Sequence, residues 1–192
     1  MSFDIRKHEI ELKYNAKDIT INSFQKFCEV LRPKDYKNVS SWDTYYSGDV
    51  EGVDFDFIRH RQDVPSQLTV KEKLNEKNNN QRIEVDLLLD SSTNEEDVQR
   101  FCERLGFTYN FKVFKSCYIY WYDQIDLVYY IVYDEEMKEK GRFIEIEARK
   151  DKFFNSAEEA WSLVTEWEKK LSYFGITPNH RIHKSQWEMN RR

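Results

Sequence analysis

Residues 8–14, His-Glu-Ile-Glu-Leu-Lys-Tyr, alternate between charge and hydrocarbon: Glu9, Glu11 and Lys13 fall on one parity, Ile10 and Leu12 on the other. Successive strand side chains point to opposite faces, so the stretch reads as extended, with one charged face and one apolar face. The pattern recurs outward along the chain. Arg82, Glu84 and Asp86 alternate with Ile83, Val85 and Leu87, and Glu145 and Glu147 alternate with Ile144 and Ile146. Arg59 with Arg61, and Lys71 with Lys73, add two more like-charged pairs. A one-sided antiparallel sheet produces alternation of this kind, but a solvated face mixes signs. Here R-x-R, K-x-K and E-x-E place like charges about 7 Å apart on one face, where they repel unless a counter-ion sits between them.

Extending the period-two reading gives strands at His8–Tyr14, Asp43–Ser47, Phe55–Arg61, Gln67–Lys73, Arg82–Leu88, Phe111–Trp121, Leu127–Tyr133 and Arg142–Arg149. A helix is expected after Asn22, with Phe24, Phe27, Cys28 and Leu31 on one face, and a second after Thr93 with Thr93 and Glu96 as capping pair. A third follows Ser156, capped by Ser156 and Glu159, with Trp161, Val164, Trp167 and Leu171 along its stripe. Gly106 and Gly175 stop the second and third helices, and a short fourth is expected over Lys184–Asn190. Asn75–Gln81 has the composition of a polar linker, and no repeat of 20 to 50 residues is present.

The chain of 192 residues is 40% hydrophobic, 34% charged and 16% aromatic, with five Gly and three Pro, which predicts one folded domain and excludes fibrous and disordered classes. The net charge of -5 disfavours general attraction to duplex nucleic acid or an anionic membrane, unless basic residues are segregated into a site. Cys28, Cys102 and Cys117 are odd in number and lack C-x-x-C spacing, so reduced thiols and a cytoplasmic location are expected. The longest strongly apolar stretch, Leu127–Tyr133, is too short to span a bilayer. His8, His60, His180 and His183 lack the i, i+4 spacing of a zinc pair and enter no site. If the sheet closes with its charged faces inward, the basic pairs suit several phosphates and the acidic pairs a hard divalent cation.

Across nearly its whole length the sequence resembles the CYTH domains, or triphosphate tunnel metalloenzymes, which include class IV adenylate cyclases, thiamine triphosphatases and inorganic triphosphatases. E-x-E-x-K is matched by Glu9, Glu11 and Lys13, D-x-Y-Y by Asp43, Tyr45 and Tyr46, and R-x-R by Arg59 and Arg61. L-T-x-K is matched in QLTVKEK with Lys71, and R-x-E-x-D by Arg82, Glu84 and Asp86. Leu105–Phe107 matches a Leu-Gly-Phe, and Phe143, Glu145 and Glu147 match the closing F-x-E-x-E. The chain departs from the family where Cys117 follows Lys115 in place of a second basic residue, and where Ser2 and Phe3 stand for the His-Phe of bacterial class IV cyclases.

The resemblance implies an α+β fold, an eight-stranded antiparallel β tunnel with helices packed outside, formed by residues 1–192 as a single CYTH-like domain. It implies phosphate binding by Lys13, Arg59, Arg61, Lys71, Lys73, Arg82 and Lys115, with Lys184 at the tunnel mouth. It implies Mg²⁺ or Mn²⁺ held by Glu9, Glu11, Asp134, Glu145 and Glu147, with Asp126 the rival of Asp134, and Glu84 and Asp86 in support. Lys71 and Tyr45 would be catalytic, together activating water. The expected activity is metal-dependent hydrolysis of an organic or inorganic triphosphate; cyclisation of ATP to cyclic AMP, and non-catalytic capture of a phosphorylated nucleotide, are the alternatives. The expected partner is a small triphosphate-bearing molecule, for a monomer or homodimer.

Overall fold

The computed structural model describes residues 5, 8–63, 65–73 and 81–191, with Lys73 and Gln81 described in the backbone alone. Ser2, Phe3 and most of the linker-like stretch at 75–80 lie outside the described residues. Eight strands, β1 (His8–Asn15), β2 (Asp35–Ser47), β3 (Phe57–Gln62), β4 (Gln67–Lys73), β5 (Gln81–Leu88), β6 (Thr108–Trp121), β7 (Ile125–Tyr133) and β8 (Glu139–Ala148), close into a barrel. The order around it is β1-β5-β4-β3-β2-β6-β7-β8, antiparallel at every junction. Closure leaves no free sheet edge and gives each strand an inside and an outside.

The apolar parity of β1, β7 and β8 faces outward and is covered by helices. Leu12, Tyr14, Tyr129, Ile144 and Ile146 pack with Phe24 and Cys28 of α1 (Ile21–Val30) and with Ala160 and Val164 of α3 (Ala157–Glu168). Val98 and Cys102 of α2 (Glu95–Arg104) cover Tyr46, Ile58 and Leu68. A third cluster lies inside the barrel, where Tyr45, Phe111, Val132 and Phe143 surround Trp187 of α4 (Gln186–Asn190).

The helix starts differ by a residue or two from the expectation. Thr20, not Asn22, caps α1 by accepting from the Ser23 amide at 3.2 Å. Asn94 caps α2, accepting from the Asp97 amide at 2.8 Å, while Thr93 is engaged in a turn through its amide to the Asp90 carbonyl. Ser156 caps α3 as expected. Leu171 is buried from a 3₁₀ turn, Lys169–Phe174, ended by Gly175 in the left-handed region at φ 72°. β2 begins eight residues earlier than the alternation indicates, because its first half is held by full-length pairing with β6 rather than by a buried face.

Candidate functional site: a charged tunnel

The charged parity of the strands points into the barrel. Thirteen expected site residues line one cavity of about 400 Å³: Glu9, Glu11 and Lys13 from β1, Tyr45 from β2, Arg59 and Arg61 from β3, Lys71 from β4, Arg82, Glu84 and Asp86 from β5, Lys115 from β6, and Glu145 and Glu147 from β8. The antiparallel register brings them together: Glu9 lies opposite Arg82, Lys71 opposite Glu84, Lys13 opposite Glu145 and Glu11 opposite Glu147.

Each described cation on this wall leans on a carboxylate. Arg82 donates to Glu9 and Glu11, both at 2.7 Å. Lys71 pairs with Glu9 and, at 3.2 Å, with Glu84; Arg59 donates to Thr69 at 2.9 Å and reaches Glu84 at 3.4 Å. Lys13 stands 3.1 Å from Glu145 and 3.6 Å from Glu11. Behind the wall, Asp43 is fully buried and accepts two hydrogen bonds from Arg61, at 2.8 and 2.9 Å, and one contact from Lys115 at 2.7 Å.

The acids divide by surroundings. Burial pushes the Glu9 carboxyl up, but Arg82 and Lys71 outweigh it and hold the group well below the usual carboxylate range. Glu84 is held at about 2 despite its burial, by Lys71 and then Lys150 against the repulsion of Glu9. Asp43 is likewise held far down against burial, by Arg61 and Lys115. Glu11 goes the other way, raised by burial and by Glu145 and Glu9, and Glu147 is raised further by burial, Glu9 and Glu11. Glu11, despite its bond to Arg82 and its nearness to Lys13, and Glu147, with Lys150 as its cationic neighbour, are thus acids for which burial and neighbouring carboxylates outweigh the counter-charge, in a tunnel whose described lining carries eight carboxylates and seven cations. Hard oxygen donors in that condition fit a divalent cation, although among the described residues no three His, Cys, Asp or Glu side chains converge on one point as they stand.

Two expected residues, Asp134 and Lys184, do not line this cavity. Asp134 lies past the end of β7 in the turn to β8, where it accepts from the Lys138 amide at 2.8 Å and lines a separate surface cleft. Asp126, its rival, lines the tunnel directly opposite Glu147, and burial raises its carboxyl to about 6. Lys184 is exposed and lines a small cleft with Glu11, Lys13 and Arg82. The Lys73 side chain lies outside the described residues. Tyr45 and Lys71 both line the cavity but keep different company: Tyr45 stacks on Phe111 at 4.5 Å with Arg61 and Lys115 as its charged neighbours, while Lys71 is bound to Glu9 and Glu84.

Other wall residues carried no motif. Lys150 pairs with Glu84 and is raised by Glu84 and Glu147 against its burial, yet it sits in the loop after β8, where strand parity has ended. Ser185, Gln186 and Trp187 reach the same cavity from α4 and its cap. They are fastened to the barrel: the Ile182 amide donates to the Lys13 carbonyl at 2.8 Å, Tyr14 bridges Arg181, and Gln186 donates to the Tyr130 hydroxyl at 3.0 Å. Tyr130 in turn donates to Glu145 at 2.8 Å. A Trp on a short polar helix gives no sign in sequence that it enters a barrel.

The chain is a closed eight-stranded antiparallel tunnel protein, and solved structures share that architecture. The PH1012 protein of Pyrococcus horikoshii superposes with a TM-score of 0.72 at 20% identity, over 96% of this chain and 99% of that one. The PH1819 protein of the same organism gives 0.66 at 25% identity, over 94% and 97%. A proposed adenylate cyclase from Vibrio parahaemolyticus gives 0.66 at 14% identity, over 95% and 97%. No protein-family model and no curated protein matches the chain.

Proposed function

We propose that the chain is a divalent-cation-dependent enzyme acting on the triphosphate group of a small molecule, and that it is a phosphohydrolase. The reading rests on one observation: seven described cations, six from β1, β3, β4, β5 and β6 and Lys150 from the loop after β8, and eight carboxylates, among them Glu9, Glu11, Glu145 and Glu147, line a single cavity. Lys13, Arg59, Arg61, Lys71, Arg82 and Lys115 bind phosphoryl oxygens, and because each now leans on a carboxylate, substrate enters by exchanging with internal ion pairs. Glu9, Glu11, Glu145 and Glu147, with Asp126 in the place expected for Asp134, would hold Mg²⁺ or Mn²⁺, which when bound neutralises phosphoryl charge. The arginines and lysines fix the chain of phosphates in line for attack, and Lys71, between Glu9 and Glu84, is positioned to stabilise the developing charge.

The same cradle serves a water nucleophile or a ribose hydroxyl, so cyclisation of ATP is the alternative reaction at this site. One assay separates them: release of phosphate, pyrophosphate and cyclic nucleotide from a panel of triphosphates with Mg²⁺ or Mn²⁺. Phosphate release supports hydrolysis, and pyrophosphate with cyclic AMP replaces it by cyclisation. Tight triphosphate binding with no turnover leaves a capture protein and overturns the enzyme.

A further inference from the structure

The inward parity of β7 carries Asp126, Val128, Tyr130 and Val132. Tyr130 is 3% exposed, and a buried phenol needs a partner for its hydroxyl. It has two: the hydroxyl donates to Glu145 Oε1 at 2.8 Å and accepts from Gln186 Nε2 at 3.0 Å. The direction of both bonds is set from α4. Asn190 Nδ2 donates to Gln186 Oε1 at 3.2 Å, so the Gln186 amide presents its nitrogen to Tyr130, and a hydroxyl that receives one donor has its single proton for Glu145. The ring is held as well, stacked on Phe143 at 5.2 Å with Lys115 Nζ 5.8 Å from its centroid. Tyr130 stands opposite Phe143 in the β7–β8 pair and reaches Glu145 diagonally. It belongs to none of the matched motifs.

Glu145 thus meets two donors on the same oxygen, the Tyr130 hydroxyl and the Lys13 ammonium at 3.1 Å. Lys13 is also a phosphate-binding group of the proposed reaction, so when it turns to a phosphoryl oxygen Tyr130 is the tether that remains. Hydrogen bonds from such outer groups orient a carboxylate that binds metal. We propose that Tyr130 is a positioning residue for the cation site: backed by Gln186, it holds Glu145 by Oε1 and leaves Oε2 for the divalent cation, so that α4 takes part in metal binding without supplying a ligand. This rests on the reading of Glu145 as a cation ligand.

Mn²⁺ titration of the full chain, with free Mn²⁺ read by electron paramagnetic resonance and no substrate present, tests the relay. Tyr130→Phe keeps the stack and removes the hydroxyl; it should weaken Mn²⁺ binding about tenfold or more, the usual consequence of losing an outer partner of a metal-binding group. Gln186→Leu, one bond further out, should weaken it about threefold in the parent and not at all in the Tyr130→Phe background, because Gln186 acts through the hydroxyl. Two changes that merely loosened the packing of α4 would add. Tyr129→Phe is the structural control: that hydroxyl donates to the Ile19 carbonyl at 2.9 Å on the outer face, so its loss should lower the melting temperature and leave Mn²⁺ affinity unchanged. Parent affinity in Tyr130→Phe, an equal loss in Tyr129→Phe, or a Gln186→Leu effect that persists in the Tyr130→Phe background overturns the relay while the cation reading stands. Parent affinity in Gln186→Leu overturns it too, whether or not Tyr130→Phe folds. If the parent itself takes up no Mn²⁺, the cation reading falls and the relay with it.

Discussion

Lys115 and Asp43 stand 2.7 Å apart, the lysine on the cavity wall and the carboxylate wholly buried behind it, where Asp43 also receives both hydrogen bonds from Arg61. One acid on β2 thus holds two cations from β3 and β6 side by side, with their remaining donors turned to the tunnel. Asp43→Asn leaves the buried Lys115 and the half-buried Arg61 without this counter-charge. A loss of about 3 kcal/mol or more is expected at neutral pH, the usual consequence of breaking one side of a buried pair. Urea unfolding of the variant within 1 kcal/mol of the parent would show that the pair contributes little.

Acid stability follows from the same groups. The folded-state carboxyls of Asp43 and Glu84 lie below their ordinary values, Glu84 at about 2. Their contribution is complete above the ordinary carboxylate range and disappears as pH falls through the folded values. Stability should therefore decline between about pH 4.5 and 2. Glu84→Gln should flatten that limb in a pH series of melting temperatures.

Glu147 has the opposite sign. Its folded carboxyl is raised, so stability falls as pH climbs from the ordinary glutamate range towards the folded value, and at higher pH the penalty persists. Glu147→Gln should raise the melting temperature of the metal-free protein at neutral pH and remove most of the stabilisation given to the parent by Mg²⁺ or Mn²⁺. A variant that melts lower than the parent, yet keeps the full metal response, would take Glu147 out of the cation site.

For the chemistry, Lys71→Ala should reduce turnover by roughly 10²–10³, with a smaller change in affinity, as expected for a group acting mainly in the transition state. Tyr45→Phe should show a smaller loss, since Tyr45 neighbours Arg61 and Lys115 and its ring is committed to a stack with Phe111 and Phe57. Single-turnover rates with saturating triphosphate decide this; parent rates in both variants would remove the pair from the chemistry.

Gly48 offers a test of the outer frame. A Cβ there would lie 2.2 Å from the carbonyl oxygen of Gly106, which itself has φ 90°, so the end of β2 and the end of α2 touch backbone to backbone. Gly48→Ala should cost about 1–3 kcal/mol through forced displacement, read as a fall in melting temperature with triphosphate affinity per folded molecule retained.

Most of the tunnel wall is legible in residues 8–14, 82–88 and 142–147, because a period of two with ionisable groups on one parity has few physical explanations once it recurs, whereas closure of the sheet into a barrel is implied by the resemblance to the CYTH domains and not by the period. The first half of β2 is not, since both faces of Asp35–Ser40 are largely exposed and alternation is lost. Asp126 and Asp134 share a parity with Val128 and Tyr130, so pattern alone cannot separate them; the end of β7 at Tyr133 does. Lys150 and Trp187 reach the tunnel from outside the strands, through loop and helix geometry that no periodicity encodes. The work of Asp43 shows only when β2, β3 and β6 are in register.

The closure of the barrel bears on how the protein folds. β1 is hydrogen-bonded to β5 and β8, and the contacts of Glu9 and Glu11 with Arg82 span 73 and 71 positions of sequence. Pairings so distant in the chain form late and slowly, after the entropy of closing long loops has been overcome. Until β8 settles on β1, the half of the proposed cation site carried by β1 has no opposite wall, and the unclosed sheet has two unpaired strand edges. A ligand that spans this seam recognises the finished molecule alone, so it should slow unfolding strongly while scarcely hastening refolding.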